Sequence, residues 1–86
     1  MNVLKLSYKY KKYYIMALEK FVHGYHLMYE KEHEDGMFYL NDRLESEYAK
    51  VFFVYAKNYR VALFEDQSGR KYSLSYENNL YILNRK

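Results

Sequence analysis

The chain contains no cysteine, no proline, no threonine and no tryptophan, and it has only three glycines. Without cysteine there is no disulfide to staple the fold and no thiolate to hold a metal or attack a substrate. That absence fits a reducing compartment, and a cytoplasmic location is the expectation. The missing proline and threonine, set beside many Lys, Tyr and Asn, match the coding style of an AT-rich genome. No run approaches the about 18 apolar residues of a membrane span. The opening residues Met1 to Leu6 lead into no uninterrupted apolar stretch, so a secretory leader is not expected. No P-loop, dinucleotide fingerprint, G-x-S-x-G elbow or zinc-protease motif is present. A non-enzymatic protein without a cofactor is therefore expected.

What is present is aromatic. Half of the 86 residues are hydrophobic, and 13 are Tyr and 5 Phe. One domain over residues 1–86 suits this length, and so small a chain must gain its stability from packing. Tyr carries a large apolar body and one polar tip. Its hydroxyl must sit at a rim or on a partner, because an unpaired buried hydroxyl is costly. Thirteen of them exceed what a small core absorbs, and exposed Tyr favours specific interfaces.

Charge is segregated. Residues 1–27 carry five lysines against Glu19, a net of +4; residues 28–49 carry seven carboxylates against Lys31 and Arg43, a net of −5; residues 50–86 carry seven cations against three carboxylates, a net of +4. Blocks of this kind steer partners when they form patches, or neutralise one another across the fold.

Residues 8–34 read as one long helix. At about 100° per residue, Tyr10, Tyr14, Ala17, Leu18, Phe21, Val22, Tyr25, Met28 and Tyr29 gather on one side. Ser7 suits the N-cap and Gly36 the left-handed C-terminal position. Gly24 inside the helix costs about 1 kcal/mol. Residues 3–6 and 37–40 read as short strands. Residues 71–77 alternate as a half-buried strand, preceded by residues 59–65 and followed by residues 80–83. Gly69 closes the first turn and Asn78-Asn79 the second. Residues 47–56 read as a further strand on their β-branched and aromatic run. The alternative there is a second helix, opened by a capping box of Asn41 or Asp42 with Glu45 and sharing a face of Leu44, Tyr48, Val51, Phe52 and Tyr55. The expected fold is a two-layer α+β arrangement: one long N-terminal helix on a three- to five-stranded antiparallel sheet, with a C-terminal meander. Its open face would present Arg60, Lys71, Ser73, Ser75 and Glu77.

Three constellations carry possible chemistry. On the expected helix, His23, His26, Glu30 and His33 span an arc of roughly 80°, and these donors suit a divalent transition metal. The same imidazoles beside Glu30 and Glu34 would also charge together near pH ~6. The bland reading is a solvated polar face. The basic-aromatic start, with Lys5, Tyr8, Lys9, Lys11, Lys12 and Tyr13, suits single-stranded nucleic acid, helped by Arg60 and Lys71. The acidic centre of Glu30, Glu32, Glu34, Asp35, Asp42, Glu45 and Glu47, beside Tyr8, Tyr13, Tyr39 and Tyr48, suits a basic protein surface.

The leading expectation is a small protein-binding module. In size and style it resembles the accessory proteins of phages and other mobile elements, several of which inhibit host nucleic-acid-handling or defence enzymes by binding them. The alternative is a nucleic-acid-binding protein. A third reading is a homo-oligomer paired through strand edges near residues 37–40 or 80–84. A membrane partner is not expected.

Overall fold

A computed structural model gives the fold and describes residues 3–5 and 16–86. The C-terminal meander follows the alternation of the sequence. Strands β4 (Val61–Glu65), β5 (Lys71–Glu77) and β6 (Leu80–Arg85) pair antiparallel. Ala62, Phe64, Tyr72, Leu74, Tyr81 and Leu83 point to one face and are buried. Asn78 and Asn79 take φ of 52° and 65°, the primed turn that follows the twist of the flanking strands. Gly69, at φ 84°, closes the β4–β5 turn, and one Asp66 carboxylate oxygen accepts from the Ser68 and Arg70 amides, both at 2.9 Å.

The expected long helix is not formed. Its first part, residues 8–15, lies outside the described residues, and residues 16–29 are a hairpin of β2 (Met16–Val22) and β3 (Tyr25–Tyr29). His23 and Gly24 form the turn at φ 52° and 88°. Gly24 is thus no weak point of a helix but the residue that lets the chain reverse. Val22, Leu27 and Tyr29 are buried on the face that also carries the meander's core residues.

Residues 37–40 are not a strand either. A 3-10 turn at Lys31–His33 leads into a short helix α1 (Glu34–Phe38), which relaxes into a π turn at Tyr39–Arg43. Gly36 lies inside α1 instead of capping a longer helix. It is buried against the sheet, where a Cβ would stand 2.8 Å from two ring carbons of Tyr72 and 3.1 Å from Leu83. Only a residue without a side chain lets the backbone approach so closely.

The expected strand at residues 47–56 is instead the main helix, α2 (Ser46–Tyr59). Ala49, Phe53 and Ala56, at helical spacing, are fully buried. Phe53 stacks on Tyr25 at 4.4 Å and meets Tyr81 edge-on at 5.0 Å. Tertiary burial of this stripe overrides the β propensity of the run. The expected cap of Asn41 or Asp42 is not used; Glu45 holds the N-cap position with no side-chain bond.

The strands form one sheet in the order β1-β2-β3-β6-β5-β4, in which β1 (Val3–Lys5) is the expected short strand and pairs beside β2. The pairing of β3 with β6 is parallel, so the sheet is mixed and not antiparallel throughout. That pairing also places residues 80–84 in the interior of the sheet, where they offer no edge. Both helices cover one face. On the other face Ala17, Met28 and Ile82 form a second small buried cluster.

Candidate functional site

Helix α2 is apolar on more than the side it buries. Tyr48, Val51, Tyr55 and Tyr59 fall within an arc of roughly 80°, and they are exposed at 58%, 60%, 52% and 65%. The Tyr55 and Tyr59 rings lie 4.6 Å apart, one turn from each other. Half-buried Phe52 borders this stripe and packs on Phe64 at 5.3 Å. Val51, Phe52 and Tyr55 then line a groove of about 460 Å³ with Val61, Ala62 and Leu63 of β4. The stripe therefore leans over the last strand of the sheet.

That strand is open. Among the described residues, nothing pairs with the outer side of β4. Two bonds set its phase: the Tyr76 amide donates to the Arg60 carbonyl at 3.0 Å, and the Asp66 amide to the Arg70 carbonyl at 2.9 Å. In an antiparallel ladder alternate residues face the partner. Residues 60, 62, 64 and 66 thus turn their backbone groups to β5, while Val61, Leu63 and Glu65 turn theirs outward. Val61 and Leu63 are exposed as well. A helix stripe and an unpaired strand edge make one apolar border, the kind of edge that folded proteins usually cover or charge.

Two of the acidic residues expected at an interface are paired within the fold. Arg70 holds Asp35 at 2.9 Å and Lys31 holds Glu34 at 3.4 Å. Asp35, Tyr39 and Asp42 line a polar cleft of about 390 Å³ with Arg43, Asp66 and Arg70. Glu45 and Glu47 sit at the start of α2, where the helix dipole favours them. Tyr39 is half-buried against Phe64. Tyr48 is exposed beside the stripe. Tyr8 and Tyr13 lie outside the described residues.

The histidines do not share a face. His23 Nε2 donates to the Leu40 carbonyl at 2.9 Å. His26 Nε2 lies 2.5 Å from Glu19 Oε2, and its ring stacks on Phe21 at 4.6 Å. Glu30 and His33 do come together, joined by Glu32, which the sequence places in the acidic centre and not among the metal donors. Their ligand atoms lie within 4.8 Å of one another, and His33 Nδ1 is buried without a hydrogen-bond partner. Three donors from one turn would fill three of the four positions of a tetrahedral shell and leave one open.

Of the nucleic-acid candidates, Lys5 belongs to β1, while Lys9, Lys11 and Lys12 lie outside the described residues. Arg60 and Lys71 stand at opposite ends of the β4–β5 ladder, where Lys71 lies opposite Glu65 in the strand register. The core tyrosines Tyr29, Tyr72 and Tyr81 have hydroxyls raised above the usual tyrosine value, chiefly by burial. They stay neutral at physiological pH. No described helix is long and apolar enough to cross a membrane.

Compared with models of protein families, with curated proteins and with solved structures, the chain matches none. The site must be read from its own geometry. The sequence carried part of the signal, since Tyr48, Val51, Phe52 and Tyr55 already shared a face in the helical reading of that segment. It did not say that this face looks outward.

Proposed function

We propose that the protein is a non-enzymatic protein-binding module whose docking surface is the border between α2 and β4. The observation that carries this reading is the groove that Val51, Phe52 and Tyr55 of α2 share with Val61, Ala62 and Leu63, along a strand edge that nothing pairs with among the described residues. A partner adding a strand to β4 gains main-chain hydrogen bonds from the outward groups of Val61, Leu63 and Glu65, and the apolar side chains supply register. Tyr55 and Tyr59 supply the rigid aromatic contact typical of binding hot spots. An inhibitory hold on a host nucleic-acid-handling or defence enzyme, the role that size and composition suggest, needs such a surface and no catalytic group.

The test is site-directed photo-crosslinking in cells that produce the full chain. A benzoylphenylalanine replacing Tyr55 or Leu63 is expected to capture a protein chain, and one replacing exposed Lys20 of β2, near the opposite end of the sheet, is expected to capture little. Equal yields at all three positions, or products containing nucleic acid alone, would overturn the assignment.

A further inference from the structure

We infer that the chain seated on this border is a second copy of the same protein, joined by antiparallel β4–β4 pairing about a two-fold axis at Leu63. The inference rests on the docking role of the border and names its occupant. Four features of one surface are satisfied by that single operation.

The first is backbone phase. Pairing centred on Leu63 sets Val61 opposite Glu65 of the second copy and Leu63 opposite its counterpart. These are the residues whose N–H and C=O groups point outward, so about six main-chain hydrogen bonds form along the shared edge. The second is charge. Arg60 precedes the strand, and Glu65 and Asp66 end it. Antiparallel pairing lays each Arg60 beside the acidic end of the other copy, whereas parallel pairing would set like charges together. The third is side-chain volume. On the helix-covered face Ala62 of one copy stands opposite Phe64 of the other, a small residue against a large one.

The fourth is the helix. α2 packs over β4 and β5. A two-fold axis at the β4 edge separates the two helices by two strand spacings, about 9.6 Å. That falls within the 8–10 Å at which packed helices interdigitate. The stripes of Val51, Tyr55 and Tyr59 then cover each other. An extended peptide on β4 would complete the edge and leave the tyrosines in water; a second copy completes both. A stable interface takes about 800 Å² per partner, about a seventh of the 5737 Å² surface of the chain.

The test is sedimentation equilibrium of the full chain over a concentration series. A species of twice 10.7 kDa is expected. Leu63→Lys and Tyr55→Glu change outward-facing residues, so circular dichroism should report the native fold while dimer affinity falls roughly 100-fold, the scale of a buried hot spot. Arg60→Glu and Glu65→Lys should each weaken the dimer alone and recover it when the two variant chains are mixed, because both ends of the mixed pair are again complementary. A wild-type chain that stays monomeric into the high micromolar range overturns the inference. So does a dimer that survives both Leu63→Lys and Tyr55→Glu. A monomer whose positions 55 and 63 still crosslink a different protein overturns the second copy and leaves the docking surface standing.

Discussion

Gly36→Ala opposes two effects of known sign. Alanine at a helical position is favoured over glycine by about 1 kcal/mol, and α1 would gain that preference. The new methyl would also stand 2.8 Å from two ring carbons of Tyr72 and 3.1 Å from a methyl of Leu83. The Tyr72 ring cannot swing aside. It is 1% exposed, stacks on Phe64 at 5.3 Å, and its hydroxyl donates to Asp66 at 3.4 Å. Leu83 is fully packed behind it. Overpacking of a filled core costs 1–3 kcal/mol, and contact with a pinned ring belongs at about 3. The net expectation is a loss of about 2 kcal/mol, or a fall of about 8–16 °C in the melting midpoint at ~4–8 °C per kcal/mol for a domain of this size. Thermal and urea unfolding followed by circular dichroism read it directly. Tyr72→Leu supplies the cycle: with the ring removed, the alanine penalty should shrink by about 1–2 kcal/mol. A variant as stable as the parent would refute the close approach of α1 to the sheet.

Other substitutions address other contacts. Phe53→Ala removes the ring shared by Tyr25 and Tyr81 and should cost about 3–5 kcal/mol, enough to unfold much of a marginal domain; a small change in the urea midpoint would contradict its central place. Asp66→Ala strands the amides of Ser68 and Arg70 and should cost about 2 kcal/mol, whereas Asp66→Asn keeps an acceptor oxygen and should cost less in the same unfolding assay. Stability should hold up to pH ~10 and fall above it. Tyr29, Tyr72 and Tyr81 are raised in the native state, chiefly by burial, so the unfolded chain releases those protons first and unfolding is favoured as pH rises through the native values. Urea midpoints that do not move across this range, or tyrosinate absorbance from all 13 tyrosines before unfolding, would count against it.

The C-terminal meander was legible because its cues agree. Tyr72, Leu74 and Tyr76 alternate within one strand, and Gly69 and the Asn78-Asn79 pair sit where positive φ is needed. The N-terminal hairpin was not, and the reason is geometric. A two-residue turn pairs Val22 with Tyr25, Lys20 with Leu27 and Leu18 with Tyr29, separations of 3, 7 and 11. Those are also the spacings that share a helix face. A hairpin closed by His23-Gly24 therefore reproduces the stripe of an amphipathic helix. Leu27 separates the two: it lies off the helical stripe, yet it is fully buried between Tyr25 and Tyr29 as a strand requires. α2 failed in the opposite sense. Its Val51 to Tyr55 run favours a strand locally, and only the Ala49-Phe53-Ala56 spacing reveals which side meets the sheet.

The candidate site was hidden for a related reason. Charge blocks are visible in a sequence, but whether they are free depends on what the fold lays across them. Here Arg70 reaches back to Asp35 across the domain, and Lys31 takes Glu34. Part of the acidic surface is thereby answered from within. Apolar exposure is the reverse case, because a reader assigns such residues to the core by default. One 14-residue helix over the β4 end of the sheet cannot bury two sides of itself, and the described residues provide no further strand beyond β4. What remains is an aromatic helix flank and a row of outward backbone groups that share one edge. Covering either alone leaves the other in water, so the partner that fits is the one that brings both a strand and a helix.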